Sequence, residues 1–182
     1  MISRSPQAAL LFALSVATIS VAFAALAGAQ ASSRPDAPDA IQAPAGEEVL
    51  LQVHAVGSQI YVCQVAADGK SGCTLKAPDA ELRDQHGEVL GRHYAGPTWK
   101  HKDGSEVTGK AAARSDAPDA GSIPWLLVTA TGHSGQGVFS AVTSIQRIHT
   151  KGGVAPSVAG CTQGAEVKSA YEADYYLYRA AR

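Results

Sequence analysis

From Glu48 to Arg179 the chain is a succession of short runs in which apolar and polar side chains alternate or β-branched and aromatic residues crowd together. Each run is closed by Gly, Pro, Asp or Ser. Val49 to Val56 is apolar through most of its length, and Gln59 to Val65 alternates. Thr74 to Ala77 stops at a proline, Glu81 to Arg83 precedes the turn Asp84-Gln85-His86-Gly87, and Val89 to Tyr94 follows it. Val107 to Arg114 comes after an Asp103-Gly104-Ser105 turn. Ile123 to Thr131 is apolar on both faces, as in a strand buried on both sides, with Pro124 near its start where a missing N–H is tolerated. Val138 to His149 reads as a strand bent once by a bulge, and Glu166 to Lys168 and Tyr171 to Arg179 close the chain. No window beyond the N-terminal run sustains a helical period with caps. The pattern predicts an all-β domain, an antiparallel β-sandwich or barrel of about eight to ten short strands, with a poorly sorted α+β fold as the alternative.

The N-terminal run is of another kind. Arg4 is followed by an almost unbroken apolar stretch from Ala8 to Ala27 and by small residues at Ala25-Leu26-Ala27 and Ala29-Gln30-Ala31. That order of charge, apolar run and small-x-small is that of a secretory signal peptide, expected at residues 1–31, with Ala27 as the other cleavage point. An uncleaved anchor is the alternative, disfavoured because alanine and serine make the run weakly hydrophobic. Ser32 to Gly46, rich in Pro, Ala and Asp, reads as a disordered leader to a single β-domain over 47–182. Ala-Pro-Asp-Ala recurs at 37–40, 77–80 and 117–120, but nothing else recurs through all three intervals, and the recurrence reads as coincidence of composition.

Composition narrows the function classes. Removal of 1–31 leaves 14 basic against 16 acidic residues, without basic runs, so there is no electrostatic footprint for nucleic acid. The chain has no Asn and hence no N-glycosylation acceptor. It is expected to be secreted or periplasmic, where its three cysteines, Cys63, Cys73 and Cys161, favour one disulfide and one remaining thiol. If Asp68-Gly69 makes a two-residue hairpin turn, Gln64 faces Cys73 and the two nearby cysteines point to opposite faces. A three-residue turn would restore that pair. The first register favours Cys63 with Cys161, closing a long loop for about 4 to 5 kcal/mol of loop-closure entropy.

Candidate chemistry gathers between Arg92 and Ser105, which hold His93, His101, Tyr94, Trp99, a Gly96-Pro97 break and the Asp-Gly-Ser turn. Arg92, His93, Tyr94, Trp99 and Asp103 are the candidate ligand-binding residues, lining a shallow pocket, although the two aromatics serve equally as packing anchors. His93 and Asp103 are the only catalytic candidates, and no nucleophile accompanies them. His93 with His101 and Asp103 is a two-histidine, one-carboxylate set, but its spacing is no known ligand signature. No metal and no cofactor is assigned, and His93 reads better as a structural imidazole bonded to backbone. Gly132-His133-Ser134-Gly135 lacks the second glycine of a nucleophile elbow and falls in a hairpin loop. No dinucleotide fingerprint, phosphate loop, Cys-x-x-Cys or His-Glu-x-x-His is present.

Tyr61-x-Cys63, Lys76-Ala77-Pro78-x-Ala80-x-Leu82, His93-Tyr94-Ala95-Gly96-Pro97-Thr98-Trp99, Asp103-Gly104-Ser105, Ile123-Pro124-Trp125-Leu126-Leu127, Ile145-Gln146-Arg147, Gly152-Gly153-x-Ala155-Pro156, Cys161 and Tyr171-x-Ala173-Asp174-Tyr175-Tyr176 follow one another in order. Together they resemble the uncharacterised domain of unknown function 3455, from about Gly57 to Tyr178. The resemblance implies an exported protein, bacterial or fungal, without an established activity. It also supports pairing Cys63 with Cys161, both in its motifs, while Cys73 stands where relatives carry an aromatic. The reading that results is a non-catalytic envelope or extracellular module, either structural or binding a small molecule, glycan or envelope component. The alternative is an extracytoplasmic hydrolase or metal-dependent enzyme centred on His93.

Overall fold

The structure, a computed structural model, describes residues 33–65, 70–158 and 162–182. The expected signal peptide and its cleavage point lie outside the described residues. Within them, eight strands form one antiparallel sheet that closes on itself in sequence order. They are β1 (Glu47–Val65), β2 (Ser71–Arg83), β3 (Val89–Tyr94), β4 (Thr98–His101), β5 (Glu106–Ser115), β6 (Trp125–Ser134), β7 (Ser144–Gly152) and β8 (Glu166–Ala180). Of the two architectures that alternation allows, the chain adopts the barrel. Among the described residues no helix is long and apolar enough to cross a membrane.

The strands are longer than the turn residues suggest, because three expected breaks are absorbed. Gly57 joins Val49–Val56 to Gln59–Val65 in the single β1; a Cβ there would lie 2.2 Å from the carbonyl oxygen of Asp79 and 2.4 Å from the Ala80 Cα, so the glycine lets β2 come close. Pro78 does not stop β2, since it lies where that strand pairs with β1 alone and its other edge has no neighbour. Glu166–Lys168 and Tyr171–Arg179 fuse into β8. Val138–His149 divides into a 3₁₀ turn, Val138–Ala141, and the start of β7, whose register against β8 shifts between Ile148 and Lys151, at the end of the stretch where a bulge is expected.

Side chains alternate across the barrel wall, giving two hydrophobic clusters. The inner one holds Val53, Ala55, Leu82, Trp99, Val107, Val128, Ile145, Tyr175 and Leu177, with Phe139 from the 3₁₀ turn. The outer one holds Trp125, Ile148, Tyr176 and Tyr178 under Ile41 and Ala43. Here the expectation of a disordered leader fails for 33–46. The segment is a strap whose Ile41 is fully buried, while Gln146 on β7 donates through Nε2 to the Ile41 carbonyl. Arg34 lies over the Tyr178 ring and donates to the carbonyls of Ala43 and Pro44. Proline-rich composition fixed extended backbone; one isoleucine among small residues supplied the anchor.

The cysteine register also departs from expectation. Cys63 stands opposite Cys73, and Gln64 opposite Gly72, so the two thiols share a face with sulfurs 3.4 Å apart. The Cys63 N–H donates to the Ala165 carbonyl and its own carbonyl accepts from Gly164. Its backbone polar groups thus point away from β2, leaving a non-hydrogen-bonded pair in which facing side chains come closest. Part of the connection that sets this register, and Cys161 with the expected Cys63–Cys161 bond, fall outside the described residues.

If the strap is integral to the domain, Ile41→Ala should lower stability by about 2 to 4 kcal/mol by leaving a cavity over Trp125 and Tyr178. Urea unfolding checks this, and an unchanged midpoint would show that the strap is undocked in solution.

Candidate functional site

Pairing lengths around the barrel are unequal, and the site follows from that. The β3–β4 hairpin ends at a turn between Tyr94 and Thr98, whereas β2 extends back to Ser71 and β5 on to Ser115 without a hairpin strand beside them. Above the Gly96-Pro97 tip the wall is therefore incomplete. A cavity of about 380 Å³ opens there, between Leu75 to Pro78 of β2 and the hairpin tip. Its inner lining includes Gln59, His93, Trp99, Val128, Arg147 and Tyr175. At the opposite end the barrel is closed: Phe139 is buried, its N–H donates to the Ser105 hydroxyl, and the Val138 N–H donates to Asp103 at 2.8 Å.

The cavity has flat aromatic walls. His93 stacks on Trp99 with ring centroids 4.3 Å apart and planes 12° from parallel, and Tyr175 meets both rings edge-on. Gly109 makes room for this pair, since a Cβ there would lie 2.5 Å from Val128 and 3.5 Å from the indole. His93 bonds the Thr98 carbonyl through Nδ1 at 2.9 Å. A carbonyl only accepts, so Nδ1 carries the proton and Nε2 keeps its lone pair. Burial pushes the imidazole down to about 3, against the Thr98 bond and with help from the nearby Arg147 charge, so it is neutral at ordinary pH.

Around this neutral ring the lining holds donors without acceptors. Gln59 Nε2, Trp99 Nε1 and the Tyr175 hydroxyl are buried without a hydrogen-bond partner in the protein, as is the neighbouring Tyr171 hydroxyl. A buried polar group left unpaired costs about 1 to 3 kcal/mol, and native proteins keep few of them. Of the five described residues that carry such an atom, three line this one cavity. Burial, reinforced by Tyr175, holds the Tyr171 phenol far above its ordinary value, so it stays protonated. Arg147 is partly buried and gives Nε and Nη2 to the Pro124 carbonyl at 3.2 and 2.8 Å. Among the described residues no Asp, Glu, Ser, Thr or Cys lines the cavity.

The expected site residues are thereby divided. His93 and Trp99 share the cavity, His93 with the backbone bond expected of a structural imidazole and Trp99 as both wall and core. Arg92 is exposed on the outer face and pairs with Asp79 at 2.6 Å. Tyr94 is half-buried, near the Glu106 carboxylate that pairs with Lys100. Asp103 belongs to the closed end, accepting from Ser105 and Val138; those bonds, the Ser105 hydroxyl first, hold its carboxyl well below the usual range. His101 lies 3.0 Å from Asp103 and against Phe139, in register with Gly91 rather than with His93. The set His93, His101 and Asp103 is not assembled, and no group of three potential ligands converges elsewhere among the described residues. His133 bonds the Val142 carbonyl from the end of β6, so Gly132 to Gly135 forms a strand end and turn, not a strand-to-helix elbow. Gln59, Arg147 and Tyr175 were missed. Their signal was a polar side chain in phase with inward apolar neighbours: Gln59 with Val53 and Ala55, Arg147 with Ile145, Tyr175 with Ala173 and Leu177.

A neutral buried His93 ties stability to pH. The unfolded imidazole binds a proton below about 6.5 while the folded one stays neutral down to about 3, so the unfolded state gains protons in that window and stability falls as pH falls through it. Between pH 6.5 and 4.5, above the carboxylate range, the loss attributable to His93 should approach about 1.4 kcal/mol per pH unit. Urea unfolding of the parent and of His93→Gln across that interval should give a shallower slope for the variant; equal slopes would show His93 to be solvated.

A match to the family described as a protein of unknown function, DUF3455, runs over residues 44–179, from the end of the strap almost to the end of β8. No curated protein and no solved structure is detectably similar to the chain. The match covers all eight strands but for their outermost residues, and the chain belongs to the DUF3455 family.

Proposed function

We propose that this protein is an exported, non-catalytic binding module that holds a small molecule in the cavity above the β3–β4 hairpin. The observation that carries this reading is that Gln59, Trp99 and Tyr175, three of the five described residues with a buried polar atom lacking a partner, line one opening in the barrel wall. A fold that needed only a core would fill those positions with apolar side chains at lower cost. Polar groups placed sparsely in an apolar, concave surface are what a ligand site requires. Leu75, more than half exposed at the mouth, and Pro97 extend the apolar surface to the rim. His93 supports binding rather than hydrolysis, because among the described residues the lining offers no Ser, Thr or Cys nucleophile and no carboxylate beside it.

Export is supported by the charge, apolar run and small-residue order of residues 1–31. Expressed from its own start codon in a bacterial host, the protein should be recovered outside the cytoplasm with a new N-terminus at Ser32 or Gly28. N-terminal sequencing of an intact Met1 would overturn export.

A binding site kept at the expense of stability has a signature. Gln59→Leu should raise the stability of the unliganded protein by about 1 kcal/mol, since it removes an unpaired buried amide from a site of similar volume. Ala77→Trp, which fills the cavity from β2, should abolish binding of any ligand found by a thermal-shift screen while leaving the barrel folded. A ligand that binds both Ala77→Trp and the parent equally would place the site elsewhere.

A further inference from the structure

Resting on that reading, we propose that the cavity selects small organic carboxylates, with Arg147 as the residue that receives the carboxylate and the stacked His93–Trp99 pair as the surface for its apolar body.

The argument begins with charge. Among the residues lining the cavity only Lys76 and Arg147 are charged, and Lys76 is already paired with Glu166 at the rim. His93 is neutral, and the lining has no acid. Arg147 is thus a partly buried cation that, among the described residues, has a backbone carbonyl and no carboxylate as its partner. A guanidinium withdrawn from water without a counter-charge is an unfavourable arrangement that an anionic ligand relieves.

Geometry then selects the anion. The bonds to Pro124 occupy Nε and one hydrogen of Nη2, which together form the side edge of the guanidinium. Its end edge, Nη1 with the second hydrogen of Nη2, keeps two parallel N–H groups, the fork that matches the two oxygens of a carboxylate. The Pro124 contact also fixes the plane of the guanidinium, so less rotamer freedom is lost on binding.

Hydrogen-bond polarity agrees. Trp99 Nε1 and Gln59 Nε2 are buried, unpaired donors on residues that line the cavity, and a side-chain adjustment that uncovered either would offer a donor to an acceptor-rich ligand. The lone pair on His93 Nε2 is a complementary acceptor for a hydroxyl or amide on the ligand's body. Ammonium ligands find no carboxylate in the cavity, and neutral ligands leave Arg147 without a counter-charge.

The test uses the full mature chain and two matched probe sets, benzoate with benzamide and benzylammonium, and hexanoate with hexanamide and hexylammonium. Affinities are read by calorimetry at pH 7 and by quenching of tryptophan fluorescence. We expect the carboxylate of at least one set to bind about tenfold or more tightly than its amide, with the ammonium compound weakest. Arg147→Gln should erase that preference while leaving amide affinity within about twofold, and Arg147→Lys should restore part of it. Because Arg147→Gln also loses the Pro124 bonds, Gln59→Leu serves as the independent variant: folded by circular dichroism, it should weaken the carboxylate several-fold. Amides that bind as tightly as carboxylates, or a preference for ammonium, would overturn the inference; if Trp99→Phe still weakened those ligands, the cavity would stand as the binding site. Binding of none of the six probes up to about 10 mM would overturn both the carboxylate inference and its premise of a small-molecule cavity.

Discussion

The pairing of β1 with β8 is the constraint on which everything else depends. It runs from Glu47 against Ala180 to Val62 against Glu166, and it turns a meander of neighbouring hairpins into a closed wall. Closure satisfies the sheet's edges and fixes which face of each strand looks inward. It does not require a wall of even height. β1, nineteen residues long, is paired along both sides from His54 to Val62 and along one side beyond, while β4 contributes four residues. The opening above the β3–β4 hairpin is the direct result of that inequality, and no separate lid or domain is needed to make it.

Inside the wall the barrel is filled at one end and hollow at the other, where a few polar groups stand among apolar ones. Phe139, Leu82, Val107 and Leu177 pack the closed end, with the Asp103–Ser105 clasp bonded to the backbone of the 3₁₀ turn. Toward the opening, Trp99 and Tyr175 serve two surfaces at once: one side belongs to the core and the other faces the cavity. Anchoring those rings in the core limits their motion, so the aromatic wall of the cavity is held in place. The neutral state of His93 has the same origin, since the stacked indole that holds the ring also excludes the water that would solvate its charge.

Much of the fold was legible from alternation, and what was not has identifiable physical causes. Gly57 and Pro78 carry strong breaker signals, yet each sits where its peculiarity is harmless: the glycine where the paired strand β2 comes closest, the proline along an unpaired edge. Those facts are long-range and have no local trace. The strap was misread because composition reports how mobile a segment is when alone, whereas Ile41 is held by a groove built from β5, β7 and β8 far along the chain. Of the candidate residues, His93 and Trp99 share one neighbourhood because they lie opposite each other across a short hairpin. Asp103, only a few residues further, passes to the other end of the barrel, since strands translate small separations in sequence into large ones in space. Arg147 and Gln59 were hidden for the opposite reason, arriving at the same cavity from distant strands. Nothing local reveals a partner on the far side of a ring, although their phase with inward apolar residues does mark them as polar groups facing a core.

The ends of the described barrel strands bear on how the molecule can be attached to anything. β8 finishes beside the start of β1, with the Ala181 N–H bonded to the Gly46 carbonyl, at the pole remote from Gly96 and Pro97. A surface, tether or fusion joined at Arg182 would consequently leave the aperture pointing outward, unobstructed, like a cup standing on its base.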